Sequence, residues 1–191
     1  MAKTPAATAV ADSAARATRT PLSHERIVAA AVEMMDQEGL AALSMRRLGA
    51  TLSVQAMSLY GYFPNKDSLI TAAGDMLFSQ ISDPDPSLHP LDGIRHVMVA
   101  FYSQAERHPC IVDLLYAAAP ARLERRANDL AALETVLGED AAKALQSLVG
   151  FVIGSIHQLR LGGPSRRAAF AYGLDIMIEG LRVRAHQRPG Q

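Results

Sequence analysis

The side chains with chemistry to offer fall into two groups. Arg46, Arg47 and Lys66 lie in or beside one short, otherwise apolar stretch, where they can meet water or phosphate. For Lys66 an ordinary solvated lysine and one arm of a phosphate clamp are equally good readings. Further along, His96, Tyr102, His108, Tyr116, His157 and Tyr172 interrupt apolar helical positions. A few polar anchors of that kind orient a small organic ligand in an apolar pocket, although each also suits a satisfied core histidine or a surface tyrosine.

Catalytic and metal chemistry find less support. Asp83/Asp85 and Glu139/Asp140 sit at loop or helix-start positions and do not establish a shared enclosed site, so no catalytic residue is assigned. The spacing of His96, His108 and His157 is not a zinc pattern, and no metal site is assigned. GxGxxG, GxxxxGK, HExxH and GxSxG are all missing. Cys110 is the one cysteine, which rules out an intrachain disulfide and suits a reducing cytoplasm; it reads as a structural thiol.

The elements that must position the first group lie between Leu40 and Phe63. Ser44 can cap a helix in which Met45, Leu48 and Leu52 recur on one face. A second helix begins near Gln55. Met57 or Ser58, Tyr60, Gly61 and Tyr62 vary around its exposed sides, and Leu59 and Phe63 return to the core. Two short helices joined by a tight turn form a helix-turn-helix, which fits a major groove about 12 Å wide. Ordinary helical cores contain the same pattern.

Around this module, Ser23 caps an earlier helix with Ile27, Ala30, Ala31 and Met34 inward, and Gly39 stops it. After Pro64 another helix runs from about Asp67 to Ser79. The prolines of 82–90 mark the main internal boundary. Amphipathic helices follow, one ending near His108, one over about 121–136, one over 140–161 and one over 168–184. The expected class is all-α, with a flexible arm (1–20), a helix-turn-helix unit (21–80) and a helical effector-binding and dimerisation unit (81–191). Arg16 and Arg19 would let the arm reach DNA. The helices of 140–161 and 168–184 are apolar around much of their circumference. Leu148, Val149, Val152, Ile156, Leu174, Ile178 and Leu181 are therefore candidates for a two-fold four-helix interface, the alternative being a central place in the monomer.

With 191 residues, 49% of them hydrophobic, the chain can bury a substantial core. No apolar run approaches the roughly 20 residues of a membrane helix, so a soluble, cytoplasmic protein without a membrane partner is expected. Its 19 basic and 19 acidic residues cancel. Any affinity for DNA must come from local placement of charge.

From Gly39 to Lys66 the sequence resembles the TetR family of bacterial transcriptional regulators. The residues that carry the likeness are Gly39, Leu43, Ser44, Arg46, Leu48, Leu52, Val54, Ser58, Leu59, Tyr60, Phe63 and Lys66, in one ungapped order. The resemblance implies a homodimer on a near-palindromic double-stranded DNA operator, repressing transcription until a small organic effector binds. It places Ser44, Tyr60 and Lys66 on phosphate, Arg46 and Gln55 at base edges, and Ala56, Met57, Ser58, Gly61 and Tyr62 on or beside the recognition surface. Ser53 departs from the family's usual turn glycine, and Gly61 from a commonly larger residue. Arg107 to Pro109 and Phe170 to Leu181 are similar to relatives with a tetracycline-repressor-type C-terminal domain. No required cofactor is expected, and in the absence of those catalytic motifs no enzyme activity is expected. The alternatives are a helical small-molecule enzyme or ligand-sequestering protein without operator binding, and a purely structural dimerisation protein.

Overall fold

A computed structural model describes residues 21–115, 120–159 and 166–187; the side chains of 120–126 and 159 are not among those described. The arm at 1–20 and Tyr116 lie outside them. Among the described residues every regular element is helical.

Helix α1 (His24–Glu38) begins where the Ser23 hydroxyl accepts the Arg26 amide at 3.2 Å. It ends where Gly39, at φ 83°, donates its amide to the Met35 carbonyl. Helix α2 (Met45–Thr51) is capped by Ser44, which accepts the Arg47 amide at 3.2 Å. Helix α3 (Ala56–Tyr60) follows after a short turn. Helix α4 (Lys66–Ser79) starts with a reciprocal capping box between Asn65 and Ser68. Ile27, Leu48, Leu59, Leu69 and Leu77 meet at the centre of these four helices with no exposed surface.

Pro90 does not only break structure; it opens α5 (Pro90–Arg107), because the first helical position needs no amide hydrogen. A short α6 (Ile111–Leu114) follows. Helices α7 (Pro120–Leu137), α8 (Ala141–Leu159) and α9 (Arg166–His186) pack with α5 into a second bundle. A 3-10 turn at Gly138–Asp140 joins α7 to α8. Helices α4 and α7 also pack together, and α4 contacts α6, so the two bundles share one continuous apolar core.

Packing corrects the assignment of the expected dimer residues. Leu148, Val152, Ile156, Leu174 and Ile178 are fully buried within the protomer, and Val149 and Leu181 are half-buried against the same core. Helices α8 and α9 turn their richest apolar stripes toward α5, α7 and each other. Their outer faces carry Gly150 and Gly154 on α8, and Tyr172, Ile176 and Val183 on α9, all exposed.

Candidate nucleic-acid interface and its connection to the helical body

The turn between α2 and α3 is tightly drawn. The Val54 amide donates to the Gly49 carbonyl at 2.8 Å, and a Cβ on Gly49 would lie 3.0 Å from the Val54 oxygen and 3.2 Å from the Ala56 nitrogen. Both neighbours are backbone, so only glycine lets α2 come this close to the start of α3. Ser53 holds φ at 57°, so this serine keeps the left-handed geometry of the turn at a cost of roughly 1–2 kcal/mol.

On this frame Arg46, Gln55, Met57, Ser58, Tyr60 and Gly61 are exposed, and Ser44, Ala56, Tyr62 and Lys66 are half-buried. Gln55 is the N-cap residue of α3, yet its side chain makes no capping bond. The two arginines of α2 have different duties. Arg47 grips both oxygens of Glu38 at 2.7 Å and reaches the Ala42 carbonyl at 3.1 Å, which ties α2 to the end of α1. That leaves Arg46 as the outward cation of this helix. Tyr62 is likewise committed at its tip: its hydroxyl donates to the Leu22 carbonyl at 2.9 Å while its ring meets His24 edge-on.

Of the six residues expected to line an effector pocket, the five that are described do not converge. His96 is exposed and bonds the Ser82 hydroxyl at 2.9 Å; His157 is exposed on α8, and Tyr172 is 71% exposed on α9. Tyr102 alone among the described five points into the core. Its ring stacks on Phe170 at 3.9 Å, and its hydroxyl is buried without a hydrogen-bond partner among the described residues. Burial, with the Glu106 carboxylate adding to it, raises the phenol above its ordinary value. A separate cleft of about 340 Å³ lies between the 83–90 connection and α7, lined by Asp83, Leu88, Ile94 and Asn128 among others, and none of the five described residues lines it. Among the described residues no group of three metal-ligating side chains comes together.

His108 does something else. Its Nδ1 lies 2.8 Å from Asp36 Oδ2, an acceptor that requires the proton on Nδ1, and Asp36 Oδ1 accepts the Cys110 amide at 3.0 Å. One carboxylate on α1 therefore holds the turn between α5 and α6. A second tie runs beside it: fully buried Gln104 donates to Gln80, at the end of α4, at 2.9 Å, and Arg107 donates to Gln104. Sequence reading singled out neither Asp36 nor Gln104. Signals existed, because an acid in the last turn of α1 opposes the helix dipole and a glutamine on the α5 apolar stripe needs a partner. The Cys110 thiol is buried, and desolvation and Asp36 push its pKa far up, in keeping with a structural role.

A tightly turned helix pair with an outward polar and aromatic face, built onto a helical body, defines a helix-turn-helix protein. Residues 27–73 match the family model described as bacterial regulatory proteins, tetR family. The chain is 32% identical over 150 residues to an HTH-type transcriptional regulator of Saccharopolyspora erythraea, covering 73% of this chain and 61% of that protein. It is 35% identical over 114 residues to the HTH-type transcriptional repressor DrrR1 of Streptomyces coeruleorubidus, covering 54% of this chain and 40% of that one. The chain thus spans less than two thirds of the length of either relative.

Among solved structures, Mycobacterium smegmatis BioQ superposes with a TM-score of 0.71 at 23% identity, covering 86% of this chain and 99% of BioQ. BioQ with its double-stranded DNA operator gives 0.67 at 25%, covering 85% and 99%. Streptomyces coelicolor ActR in complex with actinorhodin gives 0.66 at 22%, covering 88% and 100%. The protein belongs to the TetR family of helix-turn-helix transcriptional regulators. Among the described residues no helix is long and apolar enough to cross a membrane.

Proposed function

We propose that the protein is a ligand-responsive, non-enzymatic regulator that binds a near-palindromic operator as a homodimer and represses transcription by occlusion. The observation that carries this reading is the exposed face of α3, supported from behind by Leu59 and braced by Gly49. Residues 21–80 form the DNA-binding unit, 81–191 the effector and dimerisation unit, and 1–20 the arm, in a cytoplasmic protein. Ser44, Tyr60 and Lys66 position phosphate, Arg46 and Gln55 reach base edges, and Ala56, Met57, Ser58, Gly61 and Tyr62 lie on or beside the recognition surface. The repressor DrrR1 and operator-bound BioQ support the reading by similarity.

Dimerisation uses the outer faces of α8 and α9. Tyr172, Ile176 and Val183 present apolar surface there, and Cβ atoms built on Gly150, Gly154 and Gly180 meet nothing within 4 Å among the described residues, which leaves space for a partner helix. The effector is a small organic molecule received in the second bundle, where the unpartnered Tyr102 hydroxyl offers an anchor; ActR, solved with actinorhodin, supports such binding by similarity. The Asp36–His108 and Gln80–Gln104 ties carry a change in that bundle to α1 and α4. For such coupling the effector must bind one arrangement better than the other.

Selection from a randomised duplex pool at fixed physiological salt tests the proposal. Enrichment of an inverted repeat retained by a dimer is the expected result. Retention without a shared motif, or no retention, contradicts it.

A further inference from the structure

The outward line of α3 has an unusual make-up for a polar groove. Met57 lies about 160° around the helix from the fully buried Leu59, so it points straight away from the core, and it is 75% exposed. One turn further along the same line stands Gly61. This glycine has an ordinary helical φ of −70°, and a Cβ built on it meets only the Ser58 carbonyl, at a comfortable 3.6 Å. Nothing among the described residues therefore requires a glycine there. Seen from outside, the helix presents one flexible apolar side chain next to bare backbone, flanked by Ser58 and Tyr60.

In the major groove the base edges offer donors and acceptors, and a single kind of apolar group, the C5-methyl of thymine. A methionine on the central line of the helix has no hydrogen to donate and accepts only weakly, whereas its thioether packs readily on a methyl group. We propose that Met57 reads thymine through its C5-methyl, and that the missing side chain at Gly61 lets the backbone of α3 sit close enough to the groove for that contact. Met57 is then a specificity-determining residue, and each half-site contains a thymine recognised by its methyl rather than by hydrogen bonds. The inference rests on operator binding as proposed above.

The test replaces thymine by deoxyuridine, which deletes the methyl and keeps base pairing, one position at a time in one half-site of the selected operator, at constant salt. With the full chain, deoxyuridine at one thymine weakens binding about fourfold, the worth of one buried methyl group. Met57→Ala binds the thymine and deoxyuridine operators alike, Met57→Leu retains most of the difference, and Gly61→Leu folds with unchanged helicity but binds weakly. Indifference of the wild type to deoxyuridine at every position, or an undiminished difference in Met57→Ala, overturns the assignment and leaves the regulator reading standing. Failure of the selection to yield any motif strikes the regulator reading instead.

Discussion

Replacing Asp36 by alanine perturbs a carboxylate that joins α1 to the turn after α5. Its side chain is 17% exposed and that of His108 31%, so the pair is partly shielded from water. The substitution removes two hydrogen bonds to a charged acceptor and strands the Cys110 amide in a buried position. Such bonds contribute about 1.5–3 kcal/mol each, but water reaches part of this site, so the expected loss is about 2–4 kcal/mol in total. Asp36→Asn keeps an acceptor for the amide and should lose roughly half as much. Urea unfolding at neutral pH of the wild type, Asp36→Ala, His108→Ala and the double variant isolates the pair itself. The cycle should give a coupling of about 1–2 kcal/mol, and energies that add within about 0.5 kcal/mol would refute the claim that these side chains hold each other.

The remaining predictions concern other parts of the molecule. Gly49→Val drives a side chain into the Val54 and Ala56 backbone; it should destabilise by about 1–3 kcal/mol and abolish sequence-specific DNA retention, read by denaturation and fluorescence anisotropy. Ile176→Glu changes an exposed position, so it should leave the protomer folded while sedimentation shifts from dimer to monomer. The Cys110 thiol, raised above its unfolded value, keeps its proton more firmly in the folded state. Its contribution to stability is therefore complete at neutral pH and declines as pH rises past the ordinary thiol value of about 8.5, and alkylation of the native protein should stay slow where the urea-unfolded chain reacts quickly.

The local signals in the sequence proved readable where one residue type answers one backbone need. Ser23 and Ser44 cap the helices they were expected to cap, and Gly39 takes the left-handed angle that ends α1. The inward residues Ile27, Leu48 and Leu59 followed from helical spacing for the same reason. What could not be read was which of two apolar faces meets which neighbour. Leu148 and Leu174 belong to stripes wide enough to serve either a monomer core or a dimer, and only the packing of α5 and α7 against them decides for the core. The polar residues failed for a related reason. His108 looked like a pocket residue because its partner, Asp36, stands 72 positions away, beyond any periodicity. Arg47 and Tyr62 similarly looked available, until Glu38 and the Leu22 carbonyl supplied their partners.

The most direct test of a homodimer that reads DNA varies the spacing of the two half-sites in the selected operator and measures affinity at one salt concentration. Two α3 helices fixed by one dimer must enter successive major grooves on the same side of the duplex, so affinity should peak sharply with half-site centres about 10–10.5 base pairs apart and fall when one or two pairs are inserted. Equal affinity at all spacings, or a single half-site bound as tightly as the repeat, would contradict it.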